Sequence, residues 1–173
     1  LMDMNILMES FGKGLVIEPY ISTVILSGTI LSLCPESKIR SKIISNIISG
    51  SNKVSFAYAE PNSRFNVNDV STTAKFANNE WILNGHKSVV FGAGQSDYIL
   101  ISARTNGNRY EKKGISLFYI AKDAVGLNIQ DYPTVDGFKA AEVILDDIHL
   151  PNNSLISIEN NAFEIIEKTI QKA

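Results

Sequence analysis

Phe56-Ala57-Tyr58-Ala59-Glu60-Pro61 and Trp81-Ile82-Leu83-Asn84-Gly85-His86-Lys87-Ser88-Val89-Val90-Phe91 are the two stretches whose reading decides the fold. Both carry the aromatic and β-branched content of strands, and a polar connection joins them. Outward from this pair the same period-two pattern predicts strands over Val54–Ala59, Thr72–Phe76, Trp81–Phe91, Tyr98–Ala103, Ile115–Ile120, Leu127–Ile129 and Ala141–Leu150. Turn signals at Asn78-Asn79, Gly92-Ala93-Gly94 and Asn106-Gly107-Asn108 punctuate them. Short strands at this spacing predict a barrel.

Ahead of Gly50-Ser51-Asn52 the period is helical. Ile6, Leu7 and Phe11 share one face, a bend falls at Glu18-Pro19, and the small and apolar run Thr23–Leu33 follows. A further helix is expected over 35–49. Pro35 suits its first turn, Glu36 favours the positive end of its dipole, and Ile39, Ile43, Ile44, Ile47 and Ile48 recur at helical spacing. After Pro151-Asn152-Asn153-Ser154, the spacing of Ala162, Phe163, Ile166 and Ile170 begins a new helix. Helices, then strands, then helix argue for α+β layers and against alternating βαβ units. Both ends look cut within helical patterns, so the chain reads as part of a longer protein.

The 173 residues, 45% hydrophobic and 20% charged, have the balance of a soluble globular protein. Sixteen basic against eighteen acidic residues give a net charge of −2, which supplies no field to attract nucleic acid. The most apolar run, Val24–Leu33, is broken by Ser27, Gly28, Thr29 and Ser32 and is too short to span a bilayer. With Cys34 alone there is no internal disulfide and no two-cysteine metal clip, and no secretory signal is visible; a cytoplasmic location is expected.

Among candidate chemical groups, His86 and His149 lack Cys, Asp or Glu at ligand spacing, so no metal site is expected. His86 reads as a structural residue of a hairpin at Asn84-Gly85-His86-Lys87. Gly92-Ala93-Gly94 has no following helix to make it a phosphate loop and reads as a plain turn. Glu60 stands before Pro61, where a carboxylate accepts backbone hydrogen bonds in a turn, while Asp146 and Asp147 read as solvated; none is a good general base. Lys112-Lys113 and Lys38-Ile39-Arg40 read as solvated surface. The end of strand 54–59 is different: its backbone groups can hydrogen-bond the edge of a flat heterocycle, with Phe56 and Tyr58 as apolar walls. The alternative is that one of these two aromatics packs into the core.

These segments resemble the acyl-CoA dehydrogenases. That family has an aromatic-x-x-Thr-Glu-Pro segment followed by Gly-Ser-Asp, and Glu60-Pro61 match it; its Asn-Gly-x-Lys-x-Trp-Ile-Thr segment appears as Asn84-Gly85-His86-Lys87-Ser88-Val89-Val90-Phe91. Tyr132-Pro133-Thr134-Val135-Asp136-Gly137 through Leu145–Pro151 resembles the closing part of the family's barrel, with Lys139 where Arg is common. The departures are similar to those of the small subunits of pimeloyl-CoA-type dehydrogenases. The resemblance implies the C-terminal part of a helical domain over 1–53, an antiparallel β-barrel middle domain over 54–152 and the start of a C-terminal helical bundle over 153–173.

It further implies FAD as cofactor and α,β-dehydrogenation of an acyl-CoA thioester, the hydride passing to flavin N5. Phe56, Tyr58, Ala59, Val89, Val90 and Phe91 are then the flavin-lining positions, and Phe65 stands near the acyl-CoA entrance. Ala59 and Phe91 replace Thr residues whose hydroxyls contact the flavin, Val89 replaces a Trp that packs on it, and Phe65 replaces a Ser. The general base, a Glu, is expected beyond Ala173; Glu164 and Glu167 of the last helix read as solvated. A homo- or hetero-oligomer and an electron-transferring flavoprotein partner are the family's usual associations. The alternative reading is a catalytically silent partner subunit of a heteromeric dehydrogenase. A free-standing binding module is disfavoured, because helices 35–49 and 162–173 each need partners for their apolar faces.

Overall fold

A computed structural model describes residues 2–64 and 66–173. Helix α1 spans Met2–Gly14, and a π-helical stretch Ile21–Gly28 runs directly into α2, Thr29–Leu33. The small polar residues of this stretch have a structural reason. Ser27 is fully buried and donates to Ser22 O at 2.8 Å and to Val54 O at 3.1 Å, and the Thr23 hydroxyl accepts from Val54 N at 3.3 Å. The widened helix is thereby bonded side-on to the first strand.

The next helix, α3, covers Lys38–Ile48 and starts three residues later than Pro35 suggests. Ser37 adopts extended backbone and its hydroxyl accepts from Arg40 N at 3.1 Å, so a serine cap sets the start. Ile43 is buried and Ile39, Ile44 and Ile47 pack beside it, whereas Ile48 is exposed and lies off the apolar stripe. Arg40 reaches back to the end of α2, donating to Leu31 O at 2.5 Å and Ser32 O at 3.3 Å. It is a cap for a neighbouring helix, not free surface charge.

Among the described residues seven strands follow: β1 Val54–Ala57, β2 Thr73–Ala77, β3 Glu80–Phe91, β4 Tyr98–Arg104, β5 Ile115–Ala121, β6 Leu127–Pro133 and β7 Lys139–Pro151. They form one curled sheet of order β1-β4-β2-β3-β7-β6, with β5 on β4. Most pairings are antiparallel, as expected, but β1 runs parallel to β4 and β2 meets β4 in parallel at Thr73↔Arg104. Asn78 and Asn79, with φ of 51° and 66°, make the two-residue turn between β2 and β3.

Burial splits into two cores because successive side chains point to opposite faces. Ala57, Ile99, Ile101, Phe118 and Ile120 fill the inside of the curl with Trp81, Leu83 and Val143. Val54, Phe56, Leu100, Ile115 and Leu117 point outward and meet Leu26, Ile30, Leu31 and Ile43 from the helices, together with Phe163 and Ile166 of α4, Phe163–Ile170. Strands β1, β4 and β5, covered on both faces, therefore read as nearly continuous apolar runs.

Candidate functional site

Chain segments 58–60 and 87–91 meet at the edge of the curl. Ser88 N donates to Ala59 O at 2.9 Å, joining the chain just past β1 to the second half of β3. At this point β3 is bulged: its register against β7 shifts between Lys87 and Val90, and Val89 takes φ 53°. A left-handed backbone is unusual for a β-branched residue and turns the Val89 side chain outward, where it is 48% exposed. Phe91, 43% exposed, projects from the same strand end.

The six flavin-lining candidates thus divide. Tyr58 and Ala59 are half-buried, and Val89 and Phe91 are exposed, so these four offer surface. Phe56 is buried in the helix-facing core and stacks on Tyr58, ring centres 5.2 Å apart; Val90 is buried inside the curl. Phe65 lies outside the described residues.

Behind the exposed residues lies a buried ion pair. Lys87 is fully buried; its Nζ donates to Glu60 Oε1 at 2.7 Å and to Ser102 Oγ at 3.1 Å. Glu60 also accepts from Ser71 N at 2.8 Å, from the Ser71 hydroxyl and from Thr72 N at 3.0 Å. Burial pushes the Glu60 carboxyl up, but the Lys87 charge and the hydrogen bonds from Lys87, Ser71 and Thr72 outweigh it and hold the group at about 2. Burial pulls the Lys87 ammonium below the usual lysine range, opposed by Glu60. The Glu60 carboxylate thus accepts backbone hydrogen bonds, but from Ser71 and Thr72 across the fold and not from its own turn, and it is occupied as an anion.

Lys87 is the residue that sequence reasoning missed. Asn84–Lys87 is not a hairpin: β3 runs through it, paired to β7 at Gly85↔Leu145, His86↔Ile144 and Lys87↔Val143. His86 sits mid-strand with Nε2 2.7 Å from Glu142 Oε2. The signal was the phase of the strand, since Trp81, Leu83, Gly85 and Lys87 share a face and the first two are buried.

Next to Lys87 in the fold, Arg104 donates to the carbonyls of Val70, Asn68, Asn106, Arg109, Glu111 and Lys113, tying segment 68–70 to the loop 106–113. Beside the exposed edge, a cavity of about 400 Å³ opens between α1, the 16–22 turn and the barrel, with Met8, Phe11, Pro19, Tyr20, Phe91 and Phe138 among its walls. Cys34 is buried, and burial pushes its thiol up to about 11 against the opposing charge of Arg40, so it behaves as an apolar side chain. Among the described residues no His, Cys, Asp or Glu cluster could hold a metal, and no helix is long and apolar enough to cross a membrane.

Residues 55–148, more than half of the chain, match the acyl-CoA dehydrogenase middle domain. The chain belongs to the acyl-CoA dehydrogenase family. It is 32% identical over 126 residues to the mitochondrial long-chain specific acyl-CoA dehydrogenase of Mus musculus, covering 70% of this chain and 29% of that protein. It is 28% identical over 118 residues to the human mitochondrial short-chain specific enzyme, covering 66% of this chain and 28% of the enzyme. The fold is shared with the ChsE4-ChsE5 complex from Mycobacterium tuberculosis, at TM-score 0.88 and 19% identity over 99% of this chain and 44% of that one. The FAD complex of PigA aligns at TM-score 0.79 with 24% identity, over 86% of this chain and 39% of that one. The chain therefore spans less than half the length of these relatives.

In this member of the family the edge made by Tyr58, Ala59, Val89 and Phe91 could form one wall for a flat heterocycle. Ala59 adds no bulk beyond Cβ, and the exposed Val89 and Phe91 present apolar surface. None of Ala59, Val89 and Phe91 carries a hydroxyl, so only backbone groups and the Tyr58 phenol could hydrogen-bond such a ring there.

Proposed function

We propose that this chain forms the flavin-facing middle part of an FAD-dependent acyl-CoA dehydrogenase. The observation that carries the reading is the Ser88 N to Ala59 O bond, which sets Ala59 beside the outward Val89 bulge and Phe91. When bound, FAD supplies the hydride acceptor for α,β-dehydrogenation of an acyl-CoA thioester. Tyr58, Ala59, Val89 and Phe91 would orient its ring and exclude water, while Phe56 and Val90, buried in the two cores, would back them. The apolar cavity beside Phe91 suits the acyl portion.

Neither Glu60 nor Glu164 suits the role of the base that takes the α-proton. Glu60 is committed to Lys87, and the exposed Glu164 pairs with Lys168 at 3.6 Å on the surface of α4. The family supplies that base from its C-terminal domain. Oligomeric assembly, an electron-transferring flavoprotein acceptor and a cytoplasmic setting belong to the same reading. The domain division 1–53, 54–152 and 153–173 also belongs to it, and the interval between α3 and β1 supports the first boundary.

A second reading, a catalytically silent partner subunit, is favoured by one observation: both hydroxyl positions of the family's flavin contacts are apolar here, Ala59 and Phe91. The visible spectrum of the full-length protein, purified with any partner subunit and titrated anaerobically with acyl-CoA thioesters, separates the two. A bound flavin that bleaches supports the dehydrogenase, and a flavin that no thioester reduces supports the silent partner.

A further inference from the structure

Glu60 directly follows Ala59 of the exposed edge, and Lys87 stands two residues before Val89 of the same edge. Their ion pair at 2.7 Å and the Ser88 N to Ala59 O bond at 2.9 Å close a small ring: Ala59 to Glu60, across to Lys87, along to Ser88 and back. The ring is anchored on both sides. Glu60 is held by Ser71 and Thr72 just ahead of β2, and Lys87 by Ser102 on β4.

Stability alone is a weak reason for this arrangement. A buried ion pair contributes little net stability over an apolar pair of the same volume, because both charges must leave water. Separating a buried, hydrogen-bonded ion pair is costly, however, because each charge is then left uncompensated in the interior, so the pair resists any movement that parts its two segments. The strained backbone at Val89 requires such a constraint, since a left-handed valine persists only where its neighbours over-determine it. Lys87 clamps the bulge on one side, and Val90, buried inside the curl, clamps it on the other.

We propose that Glu60 and Lys87 are positioning residues: their ion pair holds the Ala59–Ser88 closure and the Val89 bulge, and thereby sets the geometry of the surface that receives the flavin ring. The flavin part of this inference rests on the function proposed above, and the backbone part does not. It involves no proton transfer and assigns neither side chain a contact with ligand.

The test uses the full-length protein carrying Glu60→Leu and Lys87→Met together, an apolar pair of similar volume, beside Glu60→Gln, which keeps the shape and removes the charge. Amide hydrogen exchange is followed at Ser88 and at Ile101 of β4, together with the thermal midpoint, FAD affinity and the visible spectrum of bound FAD. The expected result for either variant is exchange at Ser88 at least about tenfold faster with Ile101 unchanged. Weaker FAD binding, with a shifted flavin band, accompanies it. Unchanged Ser88 exchange, or Ser88 and Ile101 accelerating together, overturns the positioning role, since the pair would then be inert or merely structural. If the parent protein takes up no FAD, the flavin reading fails while the exchange comparison still decides the inference.

Discussion

Replacing Lys87 with Met leaves the Glu60 carboxylate buried among Ser71 and Thr72 without its cation, and stability at neutral pH should fall by about 3–5 kcal/mol. The pH dependence makes the cause specific. In the parent protein Glu60 is held at about 2 against an ordinary 4.5, so its contribution is present above about 4.5 and is lost as pH falls toward 2. That difference is worth on the order of 3 kcal/mol. In Lys87→Met the burial that pushes Glu60 up is opposed only by the hydrogen bonds from Ser71 and Thr72, so the folded carboxyl binds its proton more tightly than in the parent. The variant therefore loses less stability than the parent as pH falls from about 4.5 toward 2. Urea unfolding of both proteins at intervals from pH 7 to pH 3 reads the two slopes. Parallel curves would refute the reasoning, because they would mean that Glu60 titrates alike with and without Lys87.

Val89→Asn should stabilise the fold by about 1 kcal/mol and raise the melting temperature by a few degrees, since Asn tolerates the left-handed backbone and Val89 is half exposed; a lowered melting temperature would count against a strained bulge. Arg104→Lys should cost about 3 kcal/mol and open the 106–113 loop to proteolysis, because one ammonium cannot serve the carbonyls that the guanidinium fork reaches; a cleavage rate equal to the parent's would show that Arg104 does not hold the loop. Phe91→Thr should tighten FAD retention about fivefold by restoring a hydroxyl at the edge, measured by equilibrium dialysis; unchanged retention would place Phe91 away from the ring.

The positions of the strands were legible because one pattern carries them, alternation bounded by turn residues, and Asn78-Asn79 forms the β2–β3 turn as read. The start of α3 was misplaced at Pro35 because two capping signals compete there, and the hydrogen bond from Arg40 N to Ser37 Oγ wins. Ile48 looked like core since helical spacing identifies a stripe but not its width, which the neighbouring elements set.

What the sequence determined by itself is the order of elements, the α+β class and, through Glu60-Pro61 and Asn84-Gly85-x-Lys87, the family; these depend on local periodicity and on residue identity at fixed spacing. What only the tertiary structure decided is which side of each strand is available. Phe56 and Tyr58 share a strand face and stack on each other, yet Phe56 is buried and Tyr58 is half exposed, because the helices cover one more completely than the other. Val89 faces outward only because a bulge breaks the alternation, and Lys87 lies in the interior only because the chain brings Glu60 and Ser102 to it from distant positions. A charge can be buried where a long-range partner compensates its lost hydration, and that partner is a property of the fold, not of the local sequence.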